Sequence, residues 1–446
     1  MANPNPLRVP PLMQTLWWGF RPLHMLEYMS RQPEPFTLEM IGRRYFVIVG
    51  SPGVVKKLFT EFPQVGNDEL LPFVGQGSLF ALQGERHIKH RQILQPSLKG
   101  EKLRVYAERI RALTMKSLES LSTGTRFSIT AFIKELSGNI VMDVFFGLGD
   151  AAHHVKMRRG LLKIMDTVAG PVMFFPLLQR DFGRFSIGRQ IANALGAIED
   201  GIFEELRQRE AAGAGAAAKR DILADLMVSK RLEELSPQEI RDELKTLMAA
   251  GYEPTMAAIS WALLWIHNDP AVSRRLNEEI AAQAAQKLSP ADVGLLSDSY
   301  LDAVCKETLR IIPAVPAVDR MVTQPTDFLG YQLQPGTRIA ACPYITHRRD
   351  DIFPDPTQFR PERFLEKKYS PYEYYPFGGG NRYCLGAFFS QFEIKIVLWS
   401  LLSNTKFRLP NGVHKGPFSG EQRGATLTPS SKYDLVVTSM AKHTSA

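Results

Sequence analysis

One ten-residue stretch constrains this chain more than any other: residues 377–386, FGGGNRYCLG, set Cys384 in a glycine-rich loop shortly after Arg382. A thiolate that faces an iron needs close backbone approach and N–H donors aimed at its sulfur, and glycines permit that approach because they carry no Cβ. Arg382 would place positive charge beside an anionic cofactor edge. The loop therefore indicates an axial thiolate ligand rather than an inert buried cysteine.

The spacing of five residues in this stretch resembles the haem-ligand loop of the cytochrome P-450 family, in which a thiolate pushes electron density onto the iron; they are Phe377, Gly380, Arg382, Cys384 and Gly386. The resemblance implies that Cys384 binds the iron of haem b, with Phe377, Arg382 and Gly386 beside the cofactor. It also implies a mainly α fold with small β-sheets, a triangular helix-rich unit that holds haem between a central helix and the cysteine loop.

Composition limits the other possibilities. No linker divides the 446 residues, so we expect one domain, 1–446, with residues 1–35 packing on its body. Cys305 and Cys342 lie far from each other and from Cys384, which favours buried thiols in a reducing, cytoplasmic location. Apolar runs of about 18 residues are absent, so no transmembrane segment or secretory signal is predicted.

The formal charge of +8, from 54 Lys and Arg against 46 Asp and Glu, suits an acidic protein partner. We expect no nucleic-acid binding, because the chain has no long basic run and no known nucleic-acid-binding signature.

Local patterns predict the order of elements. Residues 36–50 alternate and indicate a β-hairpin, and Ser51 with Pro52 predicts a capped helix after it. Residues 85–320 are mainly helical in pattern, with a flexible connection at 211–218. Short strands are expected at 327–342 and hairpin strands in about the last 40 residues.

Glu307 and Arg310 in KETLR match the family's ExxR ion pair, because residues three apart share a helix face. Arg363, in the segment PERF, would complete a triad with them. The resemblance gives these three residues a structural role.

The resemblance also supplies partners for the haem propionates, which need charge partners when buried. His87 and Arg91 match an HxxxR helix motif, and Arg320 and Arg382 fall where the family places further arginines. His347 is expected to add another propionate contact.

The central-helix segment 250–255, AGYEPT, departs from the family pattern. Glu253 fills the acid position, but Pro254 stands where a threonine hydroxyl normally helps to deliver protons to bound dioxygen, and Thr255 points about 100° away from that position. We assign proton delivery to this segment, with ordered water, Glu253, a substrate hydroxyl and a displaced Thr255 as open routes. Our hypothesis is a water held by the carbonyl of Ala250, which Pro254 leaves without its helical N–H donor. The alternative is that Pro254 marks the end of a helix.

An apolar substrate pocket is expected by analogy and hydrophobicity. Its predicted lining is Phe73, Val74, Leu79, Phe80, Leu247, Ala250, Ala314, Val315 and Val318. A lid is predicted to include Met173, Phe174, Phe175 and Leu177.

Together these features predict a soluble haem-thiolate monooxygenase that hydroxylates or epoxidises a lipophilic substrate of secondary metabolism with O2. Electrons would come from a separate ferredoxin or flavodoxin that docks near Arg86, Lys89, His90 and Lys99. Three alternatives remain open. They are a haem-thiolate isomerase or dehydratase, a peroxygenase, and a non-catalytic haem protein that binds a ligand; Glu253 argues against the peroxygenase.

Overall fold

The computed structural model describes residues 5–41, 45–66, 71–147, 151–168, 172, 175–213, 220–232 and 234–441. The elements of the first part of the chain are α1 (Pro11–Phe20), α2 (Pro22–Met29), β1 (Phe36–Glu39), β2 (Tyr45–Val49), α3 (Pro52–Glu61), α4 (Leu71–Val74), α5 (Gly84–Leu94), α6 (Lys102–Leu118), β3 (Arg126–Ser128), α7 (Ile129–Phe146) and α8 (Ala152–Thr167). The middle of the chain is helical, with α9 (Ile187–Ala212), α10 (Ile222–Arg231), α11 (Pro237–Asn268), α12 (Pro270–Ala285), α13 (Pro290–Leu295) and α14 (Tyr300–Ile311).

The last part of the chain mixes strands and helices. Its elements are β4 (Val318–Met321), β5 (Thr326–Phe328), β6 (Tyr331–Leu333), β7 (Arg338–Ala341), α15 (Pro343–Thr346), α16 (Arg363–Glu366), α17 (Ala387–Asn404), β8 (Thr405–Arg408), β9 (Gly420–Arg423), β10 (Thr426–Pro429) and β11 (Asp434–Met440). The fold is mainly helical with small sheets, as predicted.

Helix α11 is the central helix, and it packs on α7, α14, α17 and β10. It begins with a capping box, in which Ser236 accepts from the Glu239 amide and the Glu239 carboxylate accepts from the Ser236 amide. The apolar run 259–266 is buried on almost all sides, which is typical of a core helix. The helix continues through Pro254, so the interpretation of Pro254 as a helix end is wrong.

Four small sheets surround the helices. The largest has the order β1-β2-β7-β4, with β2 and β7 parallel and the other pairs antiparallel. β5 pairs with β6, β9 pairs with β10, and β11 lies between β3 and β8. The hairpin predicted at 36–50 is confirmed. The C-terminal prediction is correct for β9 and β10, which form a hairpin. β11 pairs antiparallel with β8 and with the distant β3, not with β10.

The remaining local predictions can be compared with single elements. Helix α3 begins at Pro52, as predicted. The side chain of Ser51 makes no capping hydrogen bond, so the predicted cap was wrong. Helix α9 extends to Ala212, and most of the connection predicted at 211–218 lies outside the described residues.

The N-terminal helices contact the rest of the chain. Met25, Leu26 and Met29 of α2 are buried in the core, and Trp18 of α1 is nearly buried. Among the described helices, none is long and apolar enough to span a membrane.

Candidate active site

A mostly apolar cavity of about 600 Å³ lies between α11 and the cysteine loop. Its walls come from elements far apart in the chain, including α5, α8, α9, α11, the segment after α14, and the hairpin β9–β10. Nearly all residues predicted to contact a cofactor or substrate line this one cavity.

The cysteine loop presents Cys384 to the cavity. Its backbone N–H donates to the Phe377 carbonyl at 3.0 Å, and the Gly386 amide donates to its thiol. Gly380 has a φ of 65°, and a Cβ there would lie 2.2 Å from the Phe59 carbonyl oxygen, so only glycine fits. Burial raises the pKa of the Cys384 thiol, while the Gly386 amide and nearby Arg91 act in the opposite direction. The Cys384 side chain is accessible from the cavity, where a bound metal would take it as a thiolate.

Six basic side chains line the same cavity: the four predicted ones, His87, Arg91, Arg320 and Arg382, and also Lys245 and Arg338. Burial, followed by the charges of Arg382 and Arg91, lowers the pKa of His87 to about 4. Burial likewise lowers the pKa values of Arg320 and Arg382 to about 10.

The Nε atoms of Arg320 and Arg382 are buried and have no hydrogen-bond partner among the described residues. A buried group of mutually repelling cations with unused donors fits an anionic ligand that carries carboxylates. The residues present therefore fit a haem: Cys384 would bind its iron, and the basic side chains would pair with its propionates.

His347 does not line the cavity, so the propionate contact that the sequence analysis expected for it was wrong. The side chain is completely buried; its Nδ1 lies 3.2 Å from the Arg310 carbonyl, and its Nε2 accepts from the Tyr375 amide at 3.1 Å. Because both ring nitrogens are used, His347 joins the segment after β7 to the ExxR helix and the loop before Phe377.

Glu253 is buried in the wall formed by α11 and the β9–β10 turn. Burial raises its pKa to about 7, against the opposing influences of Arg423 and a hydrogen bond from Thr426. Gly424, at the tip of the turn, has no room for a side chain because a Cβ would lie 2.8 Å from Glu253 Oε2. Glu253 Oε1 has no hydrogen-bond partner among the described residues.

Pro254 and Ala250 both line the cavity, one turn apart on α11. The Thr255 hydroxyl is directed toward α17, where it lies 3.1 Å from the Ser390 hydroxyl. Thr255 therefore does not take over the position of the missing hydroxyl, in agreement with its predicted direction.

The sequence analysis missed Glu393, a second carboxyl of the cavity wall. Burial raises its pKa to about 8, and its Oε1 has no partner within the described part of the chain. A signal was available, because Glu393 stands between Phe392 and Ile394 on α17, the helix that begins just after the cysteine loop.

The predicted substrate-pocket residues come together in the structure. All nine line the cavity: Phe73, Val74, Leu79, Phe80, Leu247, Ala250, Ala314, Val315 and Val318. Of the predicted lid, Phe175 packs on the core and Leu177 is exposed, so neither lines the cavity. Residues 173 and 174 lie outside the described residues.

Glu307, Arg310 and Arg363 form a buried triad. Arg310 Nε and Nη2 donate to the Glu307 carboxylate at 2.7 and 2.8 Å, and Arg363 Nε donates to it at 3.1 Å. Arg310 also donates to the carbonyls of Pro356 and Gln358. The triad thus fixes the loop that precedes the cysteine segment.

The predicted docking residues do not share one environment. Arg86, Lys89 and Lys99 are exposed. His90 is buried, with its Nδ1 2.7 Å from Glu243 of α11, so its assignment to a docking surface was wrong.

Comparison with known proteins gives a consistent result. The sequence profile of the family described as Cytochrome P450 matches residues 4–437. "Putative cytochrome P450 135B1" of Mycobacterium tuberculosis is 26% identical over 436 residues, which cover 94% of this chain and 90% of that protein. "Putative cytochrome P450 138" of the same species is 29% identical over 434 residues, 96% of this chain and 94% of that protein.

A solved structure titled "Retinoic acid bound cyanobacterial CYP120A1" superposes with a TM-score of 0.80 at 19% identity. The match covers 97% of this chain and 98% of the other. At that identity the likeness concerns the fold.

Proposed function

The chain belongs to the cytochrome P450 family of haem-thiolate monooxygenases, and we propose that it inserts one oxygen atom of O2 into a C–H or C=C bond of a lipophilic substrate. The observation that carries this proposal is the convergence of Cys384 with the basic side chains of His87, Arg91, Arg320 and Arg382 on one mostly apolar cavity. A bound haem supplies the iron that activates O2. Among the three cysteines only Cys384 lines the cavity, which supports non-covalent haem b.

The lining supports a lipophilic substrate. Aromatic and aliphatic side chains from α4, α11 and β4 face the cavity, so an apolar ligand would be held by shape and by burial of its surface. The choice between hydroxylation and epoxidation, a role in secondary metabolism and a cytoplasmic location stay predictions.

The test is an optical titration of the purified ferric holoprotein with a panel of fatty acids, terpenes, macrolides and cyclic peptides. We expect a thiolate-haem spectrum and a low-to-high-spin shift with at least one lipophilic class, followed by product formation that requires reductant and O2. A protein that binds no haem would overturn the proposal. Turnover of a hydroperoxide without reductant would favour an isomerase, dehydratase or peroxygenase, and binding without any turnover would favour a ligand-binding protein.

We propose that water held by the Ala250 carbonyl carries protons past Pro254. Pro254 has no N–H for this carbonyl, and both residues line the cavity, so the acceptor is open to a water molecule. Glu253, the residue immediately before Pro254, is fully buried beside the β9–β10 turn. Its pKa of about 7 suits a group that gives and regains a proton near neutral pH.

Pro254→Thr and Pro254→Ala test the role of that carbonyl. Both variants restore an N–H donor to α11, so each should raise the free energy of unfolding, by up to about 3 kcal/mol. The N–H would displace the proposed water, so product formed per reductant consumed should fall, by about tenfold for Pro254→Ala and by less for Pro254→Thr, which adds a hydroxyl. Unchanged coupling in both variants would exclude proton supply through the Ala250 carbonyl.

The pH dependence tests Glu253. Its raised pKa means that the neutral, proton-donating form dominates below about pH 7 and the buried anion above it. Coupled turnover should therefore fall as the pH rises through about 7, and Glu253→Gln should lower turnover and remove this dependence. Glu393→Gln serves as the comparison: if it alone removes the pH dependence, Glu393 carries the proton instead.

We propose that a separate ferredoxin or flavodoxin reduces the protein at a basic face that includes Arg86, Lys89 and Lys99. The Arg86 guanidinium is paired with Glu239 at 2.5 Å, which leaves Lys89 as the better single test. Lys89→Glu should slow reduction several-fold at low ionic strength and flatten its salt dependence. Lys156→Glu, which changes an exposed lysine of α8, is the control, and equal effects of the two variants would exclude this site.

A further inference from the structure

We propose that His153, His154 and Glu205 form a binding site for a divalent transition-metal ion, with Zn²⁺ as the best match. The two histidines lie in the first turn of α8, and Glu205 lies on the neighbouring helix α9. None of the three lines the haem cavity, so this site is separate from the thiolate site.

The geometry brings three ligand atoms together. Glu205 Oε2 lies 2.8 Å from His153 Nε2 and 3.0 Å from His154 Nε2, and all three atoms lie within 4.8 Å of one another. Consecutive helical residues normally diverge by about 100°, so convergence of both rings on one oxygen is a specific arrangement. The side chains are largely buried, with exposed fractions of 12%, 9% and 3%.

The carboxylate is held in place from its other side. Arg209 Nε donates to Glu205 Oε1 at 2.7 Å, and the Arg209 guanidinium is itself anchored on Asp221 at 2.7 and 2.9 Å. This support orients Oε2 toward the histidines, as outer partners orient the ligands of metal sites.

The ligand set selects the metal class. Two imidazoles and one carboxylate suit Zn²⁺ and related transition metals, whereas Ca²⁺ and Mg²⁺ prefer oxygen ligands. In the described part of the chain these three ligands converge, and water can complete a tetrahedral zinc site.

A metal at this position would join α8 to α9. Both helices also form a wall of the cavity, through Leu161, Ile164 and Met165 of α8 and Leu195 and Ile198 of α9. Metal binding should therefore limit the relative movement of the two helices beside the substrate.

The test uses untagged holoprotein treated with chelator and desalted, then titrated with ZnCl2 by equilibrium dialysis with metal analysis. We expect saturable binding of one Zn²⁺ per chain, weakened by at least about tenfold in His153→Gln. His414→Gln, which changes an exposed histidine of the segment before β9, should bind as the wild type does. His153 is the least buried of the three ligands, so its variant is the least disturbing one, and an unchanged haem spectrum would verify its fold.

A second readout is the melting temperature, which Zn²⁺ should raise in the wild type and in His414→Gln but not in His153→Gln. No saturable binding by the wild type, or equal binding by His153→Gln, would overturn the proposal. These measurements need no turnover, so their failure leaves the proposed monooxygenase function untouched.

Discussion

Cys384→Ser should abolish monooxygenase activity and replace the thiolate-haem spectrum. The hydroxyl of serine stays protonated at neutral pH and pushes far less electron density onto the iron than a thiolate does. The other contacts of the loop, including the Phe377 hydrogen bond to the backbone of residue 384, do not depend on the sulfur. We therefore expect a folded protein that still binds haem through its basic side chains but does not turn over substrate.

The measurement is the optical spectrum of the reduced, carbon monoxide-treated protein together with product analysis. Cys342→Ser is the matched control, because the Cys342 thiol donates to the Pro316 carbonyl, a bond that a serine hydroxyl can make, and Cys342 does not line the cavity. This control should keep both spectrum and activity. Retention of the thiolate spectrum in Cys384→Ser would contradict the assignment of the iron ligand.

The candidate site was predictable where its chemistry is local in sequence. Cys384 with its glycines, and His87 with Arg91 one helical turn away, can be identified because the spacing itself places the side chains. The effect of Pro254 could be predicted for the same reason, because the proline removes the N–H that would donate to the carbonyl four residues earlier, that of Ala250.

The errors concern side chains whose partners are distant. His90 was taken as a surface residue, but its partner Glu243 is 153 positions away, and that contact buries it. His347 was placed at a propionate, whereas Arg310 and Tyr375 use both of its ring nitrogens. Nothing in a local pattern reports such pairings.

The same limit applies to the proton-delivery region. Gly424 approaches Glu253, and Ser390 meets Thr255, only because β9–β10 and α17 pack on α11. Glu393 needed the same packing to become a cavity residue. Sequence reasoning predicted Cys384 as the ligand and found the unusual helix position of Pro254. Tertiary packing supplied the neighbours that determine pKa values there.

Glu307→Gln should be the most destabilising single substitution of this set. The Glu307 carboxylate is completely buried and accepts from Arg310, from Arg363 and from the backbone N–H of Arg360 at 2.8 Å. Glutamine keeps the shape but removes the charge, and its amide N–H atoms would face two buried guanidiniums. Removal of one partner from a buried ion network typically costs about 3–5 kcal/mol.

The expected result is a loss of that size in the free energy of unfolding, measured by urea denaturation. Haem should also be released at a lower urea concentration, because the triad fixes the loop that leads to Cys384. Glu362→Gln is the matched control on the same segment. Glu362 is partly exposed and accepts from Arg275 at 2.8 Å and from Tyr300 at 2.9 Å, so its loss should cost less than about 1 kcal/mol. Similar losses for the two variants would mean that the triad is held by packing rather than by the Glu307 charge.

Arg310→Lys should separate the contribution of charge from that of hydrogen bonding. Lysine keeps the charge but cannot donate to the Glu307 carboxylate and to the Pro356 and Gln358 carbonyls at once.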